Sequence, residues 1–201
     1  NIDTGDSNEE TTEGTVSRAP SDTEPVELPE RTELRLAIDL PHINLMRKAK
    51  IISHNGYDTP YPALNLIDNK ATTKWSARPT DRNDGKDSYW IIIELDKVQD
   101  FNTYTIMGAG NHGGDQAVDV PSRNTRAWEV YISLDNKNWT LIDSVKNNVK
   151  SDMSVYVGQQ KAKYVKLNVT HTDQGSNPKN STLRIYEFQL YNFEKDYIAP
   201  L

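Results

Sequence analysis

The 201-residue sequence contains no cysteine, so neither a disulfide framework nor a thiolate metal site is open to it. It has no apolar run approaching the length that spans a bilayer. It has no sustained helical period. Positive charge is the scarcer sign: 23 Lys and Arg face 29 Asp and Glu, a net charge of −6 that is unevenly spread. Residues 1–35 carry ten acids and three bases, a net of −7, which leaves +1 for the remainder. A nearly neutral body without a basic stripe argues against nucleic acid as partner.

The acidic stretch, residues 1–35, is rich in Thr, Ser, Glu, Asp and Pro and has no sustained period. Such a composition buries too little surface to offset its ordering entropy, and repulsion between its acids extends it. We expect a disordered acidic linker or tether there. The chain begins at Asn1 rather than Met, from which we expect that an upstream segment, such as a signal peptide, was removed. Residues 34–40 alternate imperfectly and stop at Pro41, which suits an edge strand. His42 falls in the turn that follows.

From Ala49 onward the pattern is that of strands. Residues 49–54 form a short one, and residues 88–96 are apolar at nearly every position, as in a strand buried on both faces or close to it. Residues 101–107 give the next. Trp128, Val130, Ile132 and Leu134 alternate onto one face before a turn at Asp135 and Asn136, and a strand resumes at Trp139. Met153, Val155 and Val157 alternate, as do Val165, Leu167 and Val169, then Phe188 and Leu190. About eight short strands separated by turn signals predict an all-β antiparallel β-sandwich or jelly roll.

One stretch holds more chemistry than the rest: Leu64-Asn-Leu-Ile-Asp-Asn-Lys-Ala-Thr-Thr-Lys-Trp75. Asn69 tolerates the left-handed conformation of a tight turn, and Asp68 accepts from the turn's own amides. A turn that gathers oxygens from Asp68, Thr73 and neighbouring carbonyls suits a hard cation, since calcium takes six to eight oxygen ligands. The same residues also describe an ordinary capped turn. Trp75 reads as a core anchor behind it.

Four elements, in order, make the region from about 46 to 193 resemble a discoidin domain, the coagulation-factor type C or galactose-binding-like family, closest to its bacterial carbohydrate-binding modules. They are Leu66-Ile-Asp-Asn-Lys-Ala-Thr-Thr-Lys-Trp75, Tyr89-Trp-Ile-Ile-Ile-Glu-Leu, Trp128-Glu-Val-Tyr-Ile-Ser-Leu-Asp-Asn-Lys-Asn-Trp139, and Lys163-Tyr-Val-Lys-Leu with Ile185-Tyr-Glu-Phe-Gln-Leu-Tyr. Asn69 stands where relatives usually have Gly, and both residues adopt positive φ.

The resemblance implies an eight-stranded sandwich with a structural calcium at the first turn. Carried onto this chain, its ligands are the side chains of Asp68, Thr73 and Glu187 and the carbonyls of Asn65, Lys70 and Tyr186. Glu187 lies among apolar Ile185, Phe188 and Leu190, where a carboxylate needs a partner. A salt bridge to a nearby Lys or Arg is the alternative to a cation.

The resemblance also implies binding through loops at one end of the sandwich. The longest, residues 108–126, carries His112, Asp115, Arg123 and Asn124, side-chain types that hydrogen-bond sugar hydroxyls. Residues 76–84 add Arg78, and residues 170–177 add His171. Ser76 stands where the sugar-binding branch often has His. The aromatic platform of its last loop is missing, leaving Tyr57 and Tyr61 to stack on a ring. The loops carry no exposed apolar spikes, so membrane insertion by the domain itself is not expected.

Together these imply a non-catalytic module of an exported bacterial protein, binding a glycan or glycoconjugate weakly. A secreted or cell-surface location follows, with an outer-membrane lipoprotein as one form of it. The alternatives are an adhesion domain for a protein or lipid head group, or an accessory domain of a glycoside hydrolase. Acid–base work by Asp81 with Asp84, or His112 with Asp115, would need a cleft to unite them. No nucleophile motif accompanies either pair.

Overall fold

Two strands of double length organise the chain, because the residues between two expected strands stay extended instead of turning. The computed structural model describes residues 43–112, 121–177 and 181–193, with the main chain of Thr32–Glu33. Among these residues run β1 (Thr32–Glu33), β2 (Lys50–His54), β3 (Trp75–Ala77), β4 (Tyr89–Gly108), β5 (Ala127–Ser133), β6 (Thr140–Val145), β7 (Asp152–His171) and β8 (Leu183–Tyr191). Every pairing is antiparallel. β1 falls within the expected tether and pairs Thr32 with Tyr156 and Glu33 with Val155. The edge strand expected over residues 34–40, like His42, lies outside the described residues.

β4 joins the two expected strands at 88–96 and 101–107, and β7 joins those around Met153 and Val165. Their pairing shifts register between Glu94 and Gln99. On β7 the bend has Gly158 at φ 69°, a conformation that L side chains rarely adopt. The long strands therefore fold over at mid-length. The first half of β4 pairs with β2 and the second half of β7, which continues to β5 and β6. The second half of β4 pairs with β8 and the first half of β7, with β3 beyond β8. The result is an antiparallel β-sandwich, as the sequence predicts.

Its core is one cluster in which Trp75, Tyr89, Ile91, Ile93, Tyr104, Trp128, Leu167 and Phe188 are fully buried. The strand at 88–96 is buried on its Tyr89, Ile91, Ile93 and Leu95 face, while Trp90, Ile92 and Glu94 are only half-buried. The expectation of near-complete burial on both faces is corrected to one face. Leu134 also departs from its expected inward position: β5 ends at Ser133, and Leu134 enters the turn 58% exposed. β6 begins at Thr140, one residue after Trp139.

Trp75 is the expected anchor. It is buried on β3, and its indole N–H donates to the Gly56 carbonyl at 3.0 Å. Gly56 is required there: a Cβ would stand 2.4 Å from the Asp81 carbonyl oxygen. This close approach links the loop after β2 to the β3–β4 connection.

Candidate functional site

At the first turn, the short helical turn Ala63–Ile67 delivers Asp68, and Asn69 then takes φ 63°. That left-handed step turns the Lys70 amide toward two carboxylates. It donates to Asp68 Oδ1 at 2.9 Å and to Glu187 Oε1 at 2.5 Å. The Thr73 hydroxyl donates to Asp68 Oδ2 at 2.7 Å and lies 3.0 Å from the Lys70 carbonyl oxygen. Asn65 Nδ2 donates to the Lys74 carbonyl at 3.0 Å.

Glu187 reaches this turn because of a β-bulge. Met107 pairs with Glu187 and Gly108 with Ile185, so Tyr186 is the extra residue. Leu183 and Ile185 face the core before the bulge, and Phe188 and Leu190 after it. The change of parity turns Glu187 toward Asp68. It is 0% exposed, and no lysine or arginine pairs with it among the described residues. The expected alternative, a salt bridge, is therefore not what this strand provides. Burial, opposed by the Lys70 amide and reinforced by Asp68, pushes the Glu187 carboxyl up to about 8. A buried carboxylate beside a second one, with hydroxyl and carbonyl oxygens around them, is a donor set that fits a hard divalent cation.

The second feature is the end of the sandwich where β2, β3, β4, β6 and β7 finish and β5 and β8 begin. Main-chain contacts knit its loops. Gln174 N–H donates to the Ser122 carbonyl, Asn148 N–H to Arg126 and Gly108 N–H to Ser151, at 2.8–2.9 Å. Within the long loop, residues 109–112 form the short helix α1 (Ala109–His112). Asp115 lies outside the described residues.

Tyr186, the bulge residue, stands at the centre. The His112 ring lies 5.7 Å from it, and Lys74 Nζ lies 5.8 Å from its ring and 4.3 Å from that of Tyr61. His112 Nε2 lies 3.0 Å from both oxygens of Asp152, which also accepts from Asn111. That contact fixes the imidazole and leaves Nδ1 as its second polar atom. Arg184 pairs across from Ser76, on the outward face that Lys74 shares. Burial lowers the pKa of Lys74, helped by the charges of Arg184 and Arg123 and opposed by Asp58. Burial likewise lowers that of Arg184, with Arg123 adding to it and Asp173 opposing. Arg123 is therefore close enough to be felt by both.

The remaining expected contacts sort by their bonds. Arg78 is exposed and holds Asp58 at 3.2 Å and Asp81 at 3.4 Å. Tyr61 is 37% exposed at the cluster, and Tyr57, 44% exposed, packs edge-on against His54 at 5.4 Å. Asn124 departs from its expected role as a surface contact. It is 3% exposed, its Oδ1 accepts from Gly110 N–H at 2.7 Å, and its Nδ2 donates to the Val149 carbonyl at 3.0 Å. Asn124 staples the loop. His171 likewise ties its own loop through Gly175, at 2.7 Å. Ser76, where a His was absent, is buried with its hydroxyl on the Leu183 carbonyl at 2.8 Å.

Sequence reasoning missed the side chains of Lys74, Arg184 and Tyr186. Two of them left a signal. Lys74 directly precedes the Trp75 anchor, and Arg184 alternates with Leu183 and Ile185. The bulge that places the buried Tyr186 beside Lys74 and His112 left none.

The chain belongs to the F5/8 type C domain family, whose model matches residues 48–188. Solved structures agree on the fold. The family 32 carbohydrate-binding module of Streptococcus pneumoniae EndoD is 21% identical with a TM-score of 0.60, over 75% of this chain and 100% of that one. The CBM32-5 module of GH89 from Clostridium perfringens, solved with GalNAc-β-1,3-galactose, is 17% identical with a TM-score of 0.57, over 73% and 97%. CBM32-3 of a family 31 glycoside hydrolase from Clostridium perfringens is 20% identical with a TM-score of 0.58, over 74% and 94%. No curated protein matches the sequence.

Proposed function

We propose that the chain is a non-catalytic carbohydrate-binding module of an exported bacterial protein, binding glycans weakly through the loop end. One observation carries the reading: Tyr61 stands with Lys74, Arg184 and His112 around the buried Tyr186 ring at the loop end of the sandwich. Aromatic faces meet the C–H surface of a sugar ring, and fixed donors meet its hydroxyls. With few groups and open solvent, affinity falls between millimolar and tens of micromolar, roughly 4–6 kcal/mol. Tethering or repetition in a parent protein raises that through effective concentration.

The acids raised as a catalytic pair are held separately. Asp81 accepts from the Arg78 amide at 2.7 Å, and Asp84 from the Trp90 indole at 2.7 Å and Asn55 at 3.1 Å. Partial burial works to raise the Asp84 pKa, but these donors and Lys86 outweigh it and the net shift is downward. That favours binding over acid–base chemistry in this domain. An outer-membrane lipoprotein or other surface location is part of the proposal. No helix among the described residues is long and apolar enough to cross a membrane.

The proposal includes a structural calcium held by Asp68, Thr73 and Glu187 with the carbonyls of Asn65, Lys70 and Tyr186. When bound, the ion would supply the charge that two facing carboxylates lack. A glycan array with purified protein, with and without chelator, tests the reading. Specific glycan binding supports it. Hydrolysis of a chromogenic glycoside, or capture of anionic liposomes in place of glycans, would count against it.

A further inference from the structure

Three cations converge where the proposed sugar site opens. Lys74 lies between the Tyr61 and Tyr186 rings, 4.3 and 5.8 Å from their centroids. Arg184 projects from β8 on the same outward face, two residues before the bulge residue Tyr186. Arg123 ends the turn Pro121–Arg123, which packs on α1, and α1 in turn packs on β8. Among the described residues none of the three is in an ion pair.

The acids around them are engaged elsewhere. Asp58 and Asp81 hold Arg78, Asp152 holds His112 and Asn111, and Asp173 accepts from the Gly175 amide at 2.9 Å. Like charges gathered with no acid paired to them repel one another. Neutral sugar hydroxyls need donors and acceptors in mixture. Here the three cationic side chains are donors only, and no carboxylate pairs with them among the described residues.

We propose that the glycan taken at this end carries an anionic group, a carboxylate or a sulfate ester, seated among Lys74, Arg123 and Arg184 with its ring against Tyr61. This rests on the carbohydrate-binding reading and specifies its ligand. A guanidinium presents paired N–H donors that match the oxygens of either anion, and charge-assisted bonds are roughly twice as strong as neutral ones. The Tyr61 face supplies the contact that a free anion lacks, so inorganic sulfate alone is a poor ligand.

The test is titration calorimetry of the whole chain against a neutral galactan oligosaccharide, an oligogalacturonide and a sulfated galactan oligosaccharide of similar length. One of the charged probes is expected to bind about tenfold tighter than the neutral one. Which one it is separates carboxylate from sulfate. The preference should shrink severalfold between about 20 and about 500 mM salt as screening sets in. Lys74→Gln and Arg123→Gln should each erode the charged-to-neutral ratio, with melting curves confirming that both fold. Equal affinity for all three probes, or a ratio indifferent to salt and to both substitutions, overturns the anionic specificity and leaves the carbohydrate reading standing. Binding of no glycan, with or without charge, overturns both.

Discussion

Lys70 and Glu187 are 117 positions apart in sequence, yet the Lys70 amide donates to Glu187 Oε1 at 2.5 Å. That bond ties the first turn to the last strand. It also leaves Glu187 buried beside Asp68 with the Lys70 amide and, at 3.5 Å, the Gln189 side-chain amide as donors, and with no cationic side chain paired to it among the described residues. The arrangement is unfavourable without a counter-charge.

The first prediction follows from that imbalance. Calcium at a hundredfold excess over Kd should stabilise the fold by about 2.7 kcal/mol and so raise the melting temperature, and chelator should remove that gain. Glu187→Gln should abolish the calcium response. In chelator, the same variant should melt at or above the unaltered chain, because an amide avoids the buried pair of acids. Differential scanning calorimetry of both proteins in both conditions decides it. A calcium response that survives in the variant places the cation elsewhere.

Gly56→Ala should destabilise the fold by about 1–3 kcal/mol, since a Cβ overpacks against main chain that cannot swing aside. The Asp81 carbonyl oxygen would stand 2.4 Å from that carbon, and the displaced Gly56 carbonyl is the acceptor of the Trp75 indole. Urea unfolding followed by tryptophan fluorescence measures this, and an unchanged midpoint would count against the clash.

Much of this fold was legible because alternation is local. Ile91, Ile93, Val130, Leu167 and Phe188 announce their strands without knowledge of any partner, and Asn69 and Asn136 mark the turns where φ is positive. What escaped is set by pairing over distance. The extended joins inside β4 and β7 appear only when the two strands are laid together, and the bulge at Tyr186 exists only in its register with β4. The site suffered most from this. Asn124 reads as a sugar contact in sequence, and only its bonds to Gly110 and Val149 reveal a staple. Lys74 and Arg184 become neighbours through β3 and β8.

A buried polar chain gives the third prediction. The Trp128 indole donates to the Tyr104 hydroxyl at 2.9 Å, which donates to Asp143 Oδ2 at 2.5 Å. Tyr104→Phe keeps the ring and deprives the indole of its acceptor and Asp143 of this donor. A loss of about 1–3 kcal/mol is expected in urea unfolding. A variant as stable as the original would mean that these groups rebond on their own.

Asp135 supplies a pH dependence. Its carboxylate accepts from the Asn138 and Lys137 amides at 2.8 and 2.9 Å, from Asn138 Nδ2 at 2.7 Å and from Ser133. The Asn138 amide, then the Lys137 amide and the Asn138 side chain, hold its pKa well below the usual carboxylate value. The folded pKa is depressed, so the contribution is present above the unfolded value of about 3.9 and fades as pH falls through the lower folded one. Asp135→Asn should therefore melt lower at neutral pH and converge on the unaltered chain in acid. Parallel melting curves at every pH would show that the turn gains nothing from the charge.

The last prediction separates contact from scaffold inside one loop, where adjacent residues should fail in opposite ways. Arg123 is exposed and unpaired among the described residues, so Arg123→Ala should leave the melting temperature unchanged and weaken glycan binding by about tenfold. Asn124 is buried with both amide atoms bonded, so Asn124→Ala should cost about 1–3 kcal/mol through the Gly110 and Val149 groups it strands. Any loss of binding in that variant should then track loosening of the loop and recover as temperature falls. A single glycan titration and melting series on both variants is enough. Were Arg123→Ala to bind normally while Asn124→Ala lost binding without losing stability, the contact residue would be the asparagine and the site would have to be redrawn around it.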